Sequence, residues 1–166
     1  MKKFLQFLPL YILLIFTING FAQLNNNCAN AVNVCNNQLA EQLDDGPGTQ
    51  ECPTGGCGCM LAGEKNTRWF RITVANPGTL EFTIRPYTGT ADYDFSVWNQ
   101  GVGGSCPTGA RLGTPDRCNF ASPKSPTGIR GIAGNNSEPA SGNLFSNNMS
   151  VFTGQVIYIL VDNYDG

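Results

Sequence analysis

The sequence predicts an all-β protein, an antiparallel β-sandwich or jelly roll that follows a disulfide-stapled, irregular N-terminal segment. Beyond residue 67, short stretches rich in β-branched and aromatic residues alternate with turns of Gly, Pro and Asn. Strands of this length and spacing are typical of sandwiches. No helical period longer than two turns interrupts them, and all seven cysteines follow an apolar N-terminus, as in exported disulfide-bonded domains.

The N-terminus predicts export. Lys2 and Lys3 precede an apolar run from Phe4 to Ile18, and the small residues Gly20 and Ala22 follow. This order is typical of a secretory signal peptide, assigned to residues 1–22. The alternative is an uncleaved membrane anchor, but a spanning helix needs about 20 apolar residues. We therefore expect a secreted protein, extracellular or on a bacterial cell surface, with no membrane span after cleavage.

The rest of the chain divides into a cysteine-rich segment, residues 23–66, that packs on a β-sandwich domain, residues 67–166. The strong final strand, Gln155–Val161, is followed by the turn sequence Asp162–Gly166. Asp-Gly commonly opens a hairpin into another strand. We therefore expect the last strand to lack a partner, the domain to be truncated, and further domains to follow. The alternative is that Asp162–Gly166 is a frayed terminus.

Alternation of apolar and polar residues identifies the other strands. Arg68–Ala75, Thr79–Arg85 and Ala91–Trp98 each direct one apolar face toward a core. Four shorter stretches are weaker strand candidates: Cys118–Ala121, Gly128–Ala133, Asn143–Phe145 and Met149–Phe152.

The cysteines predict a disulfide framework. They are Cys28, Cys35, Cys52, Cys57, Cys59, Cys106 and Cys118. Proximity in sequence favours the pairs Cys28–Cys35 and Cys106–Cys118. A third pair joins Cys52 to Cys57 or Cys59, and the remaining thiol is either free or bonded to a later part of the polypeptide. The alternative, a thiolate metal site at Cys52, Cys57 and Cys59, matches no familiar zinc or iron–sulfur spacing.

Composition excludes several functions. The chain has no histidine, which removes Ser-His-Asp and Cys-His catalysis and the usual histidine-containing zinc sites. Without Lys2 and Lys3, eight basic side chains face twelve acidic ones. No basic cluster is present to attract nucleic acid.

Four aspartates form a candidate calcium site. Asp92 and Asp94 lie on one strand face, and Asp162 and Asp165 follow the final strand. If these two strands are neighbours, their carboxylates meet at one end of the sandwich and offer the hard oxygen ligands that Ca²⁺ prefers. The alternatives are turn-capping and hydrogen-bonded acids, or a glycosidase pair at Asp92 and Asp94.

Two tryptophans, Trp69 and Trp98, lie opposite the proposed core face of their strands. Exposed on a flat sheet, they would stack on sugar rings and make a glycan-binding platform. The alternative, which the sequence favours, is that both faces of the sheet are covered and the two side chains are core residues.

Several short motifs occur in a fixed order. They are Trp69-Phe70, the sequence PGTLEFTI at residues 77–84, DYDFSVW at 92–98, RCNFA at 117–121 and the strand at 154–163. Together they resemble the β-sandwich module of large exported surface proteins of the Bacteroidetes, including gliding-motility-associated and type IX secreted proteins. That module is similar to the bacterial pre-peptidase C-terminal domain. The resemblance covers residues 28–165.

The resemblance implies an adhesion or accessory binding module without catalytic activity, so we expect no enzyme. The expected partner is an extracellular ligand, a glycan or a surface protein. The alternative is a carbohydrate-binding module attached to a secreted hydrolase, with calcium as a stabilising ion. A third reading makes the chain the N-terminal part of the hydrolase itself.

Overall fold

The computed structural model describes residues 25–35, 46–54, 57–86, 91–107, 112–122 and 124–165. The predicted signal peptide lies outside these residues. The described part contains one 3-10 helix, Cys28–Asn30, and eleven strands. In chain order, the strands are β1 (Val32–Asn33), β2 (Thr67–Thr73), β3 (Gly78–Leu80), β4 (Phe82–Ile84), β5 (Tyr93–Val102), β6 (Arg117–Asn119), β7 (Thr127–Ile129), β8 (Ser137–Glu138), β9 (Phe145–Ser146), β10 (Met149–Val151) and β11 (Gln155–Asn163).

The prediction of an all-β protein is confirmed. A six-stranded sheet has the order β1-β2-β11-β5-β6-β8, and two smaller sheets have the orders β10-β3 and β4-β7-β9. The long strands pair antiparallel, as expected. Three short pairings, β1 with β2, β6 with β8 and β7 with β9, are parallel, so the predicted antiparallel pairing holds for the long strands but not for these three.

The six-stranded sheet is covered on both faces. On one face, side chains of β2, β5 and β11 pack against residues of the two smaller sheets, such as Phe82, Ile129 and Met149. On the other face, the N-terminal segment supplies Cys28, Cys52, Cys57 and Met60 to a second apolar cluster. Accordingly, β11 is buried along almost its whole length, as its nearly unbroken apolar sequence requires.

The final strand is central rather than unpaired. Antiparallel pairing joins β11 to β2 on one side and to β5 on the other. The expectation of a last strand without a partner is therefore wrong. The truncation of the domain, which that expectation had supported, stays a prediction.

The predicted strand Thr79–Arg85 is two strands. β3 pairs with β10, whereas β4 pairs with β7 in a different sheet. The break falls at Glu81, whose carboxylate accepts hydrogen bonds from the Gly131 backbone and the Asn148 amide. The alternation of apolar residues is preserved across the break, because Leu80, Phe82 and Ile84 all pack on the same core.

Three disulfides tie the N-terminal segment to itself and to the sheet. They join Cys28 to Cys106, Cys52 to Cys57 and Cys59 to Cys118. The pairing of Cys52 with Cys57 was among those predicted. The two local pairs, Cys28–Cys35 and Cys106–Cys118, were wrong, and the free thiol is the exposed Cys35.

The hairpin of β5 and β6 explains why Cys106 and Cys118 do not bond. Cys118 lies opposite Ser96, whereas β5 continues to Val102 before the chain turns toward Cys106. Six residues of strand span about 20 Å. A disulfide requires Cα atoms within about 7 Å of each other, and Cys59 lies closer to Cys118 because the N-terminal segment crosses this face of the sheet.

No helix among the described residues is long and apolar enough to cross a membrane. The three disulfides indicate that the domain matures in an oxidising compartment.

Candidate functional site

The two pairs of aspartates meet at one end of the six-stranded sheet, as the sequence predicted for neighbouring strands. Asp94 on β5 lies directly opposite Asp162 on β11. Both side chains are buried, with Asp162 only 1% exposed. The Tyr164 backbone N–H donates to the Asp92 carbonyl, which holds the chain beyond β11 beside the start of β5.

Asp162 fastens the N-terminal segment to this end of the sheet. Its Oδ1 accepts hydrogen bonds from the backbone N–H groups of Lys65, at 2.9 Å, and Asn66, at 2.8 Å. Burial raises the pKa of Asp162, and these hydrogen bonds together with the Lys65 charge oppose the rise. Asp162 is therefore a structural anchor, and its Oδ1 is already engaged by the protein.

Two acids of the N-terminal segment, which the sequence pattern did not identify, extend this group. Glu64 is 3% exposed, and its Oε1 accepts the Cys52 backbone N–H at 3.0 Å. Glu51 accepts the Cys28 backbone N–H at 3.0 Å. In each carboxyl group the second oxygen, Oε2, is buried without a hydrogen-bond partner. We call Glu51, Glu64, Asp94 and Asp162 the acid cluster.

Burial and mutual repulsion favour protonation within the acid cluster. Burial, followed by the charge of Glu51, raises the pKa of Glu64 to about 8. Burial, followed by the charges of Asp92 and Asp162, raises the pKa of Asp94 to about 7. Protonated carboxyl groups are poor ligands for a hard cation.

Asp92 and Asp165 lie at the outer side of the acid cluster. Burial, followed by the charge of Asp165, raises the pKa of Asp92. The Asp165 carboxylate forms an ion pair with Lys124. Lys65 donates to the Tyr164 carbonyl and lies over the Tyr164 ring. These contacts direct both lysines toward the chain that follows β11.

The geometry gives the predicted calcium site no support. Within the part of the chain that the structure describes, no three acidic or cysteine side chains converge in an arrangement that could hold a metal ion. The triplet Cys52, Cys57 and Cys59 is consumed by disulfides, so the thiolate alternative is wrong.

The two tryptophans are core residues, as the sequence favoured. Trp69 is 0% exposed and Trp98 is 2% exposed. Their rings stack with centroids 5.4 Å apart beneath the N-terminal segment. Neither ring can reach a glycan at the surface of the closed domain, so the predicted sheet-face platform is wrong.

A groove lies elsewhere, beside β7 and β9. It has a volume of about 570 Å³. Its lining consists of Arg130, Gly131, Ala133, Gly134, Gly142, Asn143, Leu144 and Phe145. The Arg130 guanidinium group and the Asn143 side chain add polar groups to the groove.

Glu138 holds the two walls of the groove together. Its Oε1 accepts the backbone N–H of Asn135, and its Oε2 accepts the backbone N–H of Asn143. Burial opposes ionisation of this 1%-exposed carboxyl group, but hydrogen bonds from Asn135 and Asn143 prevail and lower its pKa. Side chains at Gly134 or Gly142 would press on the Glu138 carboxylate, so both positions require glycine.

Arg130 is the cation of the groove. Its guanidinium carbon lies 4.0 Å from the centroid of the Phe145 ring, and its backbone N–H donates to the Ser146 carbonyl at 2.9 Å. Stacking on an aromatic ring orients a planar guanidinium group while leaving its N–H donors available. Sequence inspection missed the groove because its residues come from two loops that have no common motif.

Comparison with protein-family models, with curated proteins and with solved structures found no match to this chain.

Proposed function

We propose that this protein is a secreted or cell-surface adhesion and accessory binding module that acts without catalysis. The observation that carries the proposal is the groove beside β7 and β9, where Arg130 is oriented by Phe145 and the walls are fixed by buried Glu138. Rigid walls with exposed donors suit recognition of a polar ligand, because little side-chain entropy is lost on binding.

The disulfides support an extracellular setting for this activity. Cross-links between the N-terminal segment and the sheet, such as Cys59–Cys118, suit a domain that must persist outside the cell. We further propose that the stacked sheets are a sandwich of the jelly-roll type and that the domain is akin to the Bacteroidetes surface module. Further domains of the same polypeptide would then supply attachment or sorting.

The alternative function, a carbohydrate-binding module, would use the groove instead of the sheet face. Trp69 and Trp98 are excluded from it, because they are buried. The groove can accept a sugar through the side chains of Arg130 and Asn143. A glycan and a protein segment are therefore the two ligand classes to be distinguished.

The test is a binding assay of the purified disulfide-bonded protein against panels of polysaccharides and extracellular proteins. We expect saturable binding that weakens about tenfold or more in Arg130→Ala, the loss expected for one hydrogen bond to a charged group. Arg85→Ala, at an exposed arginine outside the groove, is the matched control and should bind like the wild type.

Two results would contradict the proposal. Equal binding by the wild type and Arg130→Ala would place the ligand outside the groove. Turnover of a bound polysaccharide, detected as new reducing ends, would show that the domain is an enzyme.

A further inference from the structure

The acid cluster lies at the contact between the N-terminal segment and the sheet. Glu51 and Glu64 belong to the segment, and Asp94 and Asp162 belong to β5 and β11. Thr67, at the start of β2, lies opposite Asp162, and its buried hydroxyl oxygen has no hydrogen-bond partner. Three buried oxygens here, those of Glu51 Oε2, Glu64 Oε2 and Thr67 Oγ1, therefore have no donor.

Within the described residues, the two lysines at this end of the sheet have other partners. Lys65 is the cation that lowers the pKa values of Asp94 and Asp162, but its ammonium group is bonded to the Tyr164 carbonyl. Lys124 forms an ion pair with Asp165. Unneutralised like charges at a buried site are costly, and protonation is the ordinary way to remove the cost.

We propose that the acid cluster is a proton-controlled latch, which holds residues 60–66 closed over the sheet most firmly at acidic pH and releases them progressively as the pH rises through neutrality. In the closed state a proton on Glu64 removes its repulsion with Glu51 and Asp162. Loss of the proton leaves adjacent buried charges, and opening of the segment returns them to water. The bound species that the cluster recognises is thus the proton.

The direction of the pH dependence follows from the pKa values. Burial raises the pKa of Glu64 from its ordinary 4.5 to about 8, and burial raises the pKa of Asp94 from 3.8 to about 7. A pKa that is higher in the closed state than in the open state stabilises the closed state fully below the ordinary pKa. This stabilisation is lost as the pH rises to the closed-state pKa. The latch therefore weakens between about pH 4.5 and pH 8.

The disulfides confine the opening to this stretch. Cys59, immediately before it, is bonded to Cys118 on β6. Thr67, immediately after it, begins β2 in the middle of the structure. Because both ends are fixed, release moves residues 60–66 without detaching the whole segment, and it withdraws Met60 from the apolar cluster that contains Trp69 and Trp98.

Amide hydrogen exchange measured by mass spectrometry tests the latch on the oxidised protein at pH 5, 6.5 and 8, with intrinsic rates corrected. We expect the opening constant of residues 60–66 to rise about a hundredfold or more from pH 5 to pH 8, since one titrating group contributes up to about tenfold per pH unit. Amides of β7, in the far sheet, serve as an internal control. Tryptophan emission should shift to longer wavelength in parallel.

Two substitutions separate the latch from general loss of stability. Glu64→Gln keeps an oxygen acceptor for the Cys52 N–H but carries no charge, so the opening constant should lose most of its pH dependence. The double variant Glu64→Gln/Asp94→Asn should lose nearly all of it. Glu81→Gln removes an exposed carboxylate between β3 and β4 and should behave like the wild type.

An opening constant of residues 60–66 in the wild type that does not change with pH would overturn the proposal. So would undiminished pH dependence in Glu64→Gln. If that variant fails to fold, the wild-type series and Asp94→Asn, which should lower the pH dependence by itself, still decide the question.

Discussion

At the scale of single residues, Gly128 shows how closely two strands approach. It lies opposite Thr83 in the pairing of β4 with β7, with φ of +151°. A Cβ atom at this position would overlap the carbonyl oxygen of Phe82. Backbone cannot yield as a flexible side chain can, so the strands would have to separate.

We therefore expect Gly128→Ala to lower the free energy of unfolding by about 2 kcal/mol or more, through overpacking and backbone strain. The matched control is Gly78→Ala, because a Cβ at Gly78 meets no atom within 4 Å. Its effect should stay within about 0.5 kcal/mol. Urea denaturation of the oxidised proteins measures both, and equal effects would contradict the argument.

The sequence predicted the positions of the aspartates better than the burial of the tryptophans. Asp94 and Asp162 meet as the sequence suggested, because alternation and strand order suffice to place them. Glu64 could not be identified, since the segment before β2 has no periodic pattern and its burial depends on the fold. Local sequence does not reveal whether the Trp69 and Trp98 rings are exposed, because their burial depends on the N-terminal segment that packs on the second face of the sheet.

At the scale of elements, the disulfides differ in the length of chain that they close. Cys59–Cys118 spans 59 residues, whereas Cys52–Cys57 spans 5. The loss of chain entropy in the unfolded state grows with the logarithm of this separation. The long cross-link also joins the N-terminal segment to β6, whereas the short one lies within the segment.

We expect the double variant Cys59→Ala/Cys118→Ala to lose about 4 kcal/mol of stability and Cys52→Ala/Cys57→Ala about 2 kcal/mol. Denaturation without reductant measures both values. Cys35→Ser, at the exposed free thiol, is the control and should leave stability unchanged. A larger loss in the short-loop variant would contradict the entropic ranking.

Strand existence was predictable from local alternation, but strand partnership was not. The apolar sequence of Gln155–Val161 predicts a strand, and β11 begins at Gln155. Nothing local reveals that it pairs with both β2 and β5, or that Thr79–Arg85 divides between two sheets. Disulfide pairing depends on the same distant contacts, so neighbouring cysteines were paired incorrectly.

At the scale of the whole molecule, the acidic end of the sheet makes two kinds of protein testable. In one, a bound metal ion stabilises the fold, and in the other, packing alone does. A ligand that binds only the folded state raises its stability in proportion to the logarithm of ligand concentration. Asp92, Asp94, Asp162 and Asp165 were the predicted calcium ligands. Burial raises the pKa values of the first three, and Asp165 has an ion-pair partner.

We expect millimolar Ca²⁺ at pH 7 to leave the melting temperature unchanged to within about 1 °C, because the described carboxylates do not converge on a metal position. Mg²⁺ at equal ionic strength is the control for charge screening. A calcium-specific increase of several degrees that disappears in Asp94→Asn would restore the calcium site.

The central place of β11 also governs when the fold can form. β2 and β5 are neighbours of β11 rather than of each other, so the main sheet has a gap until Gln155–Asn163 is inserted. A chain that emerges with its N-terminus first must therefore keep β2 and β5 apart until β11 is made, although pairings such as β5 with β6 can already form. Pairings between strands so distant in sequence make folding slow. Late closure of this kind would make the last part of the sequence decide when the two halves of the main sheet join.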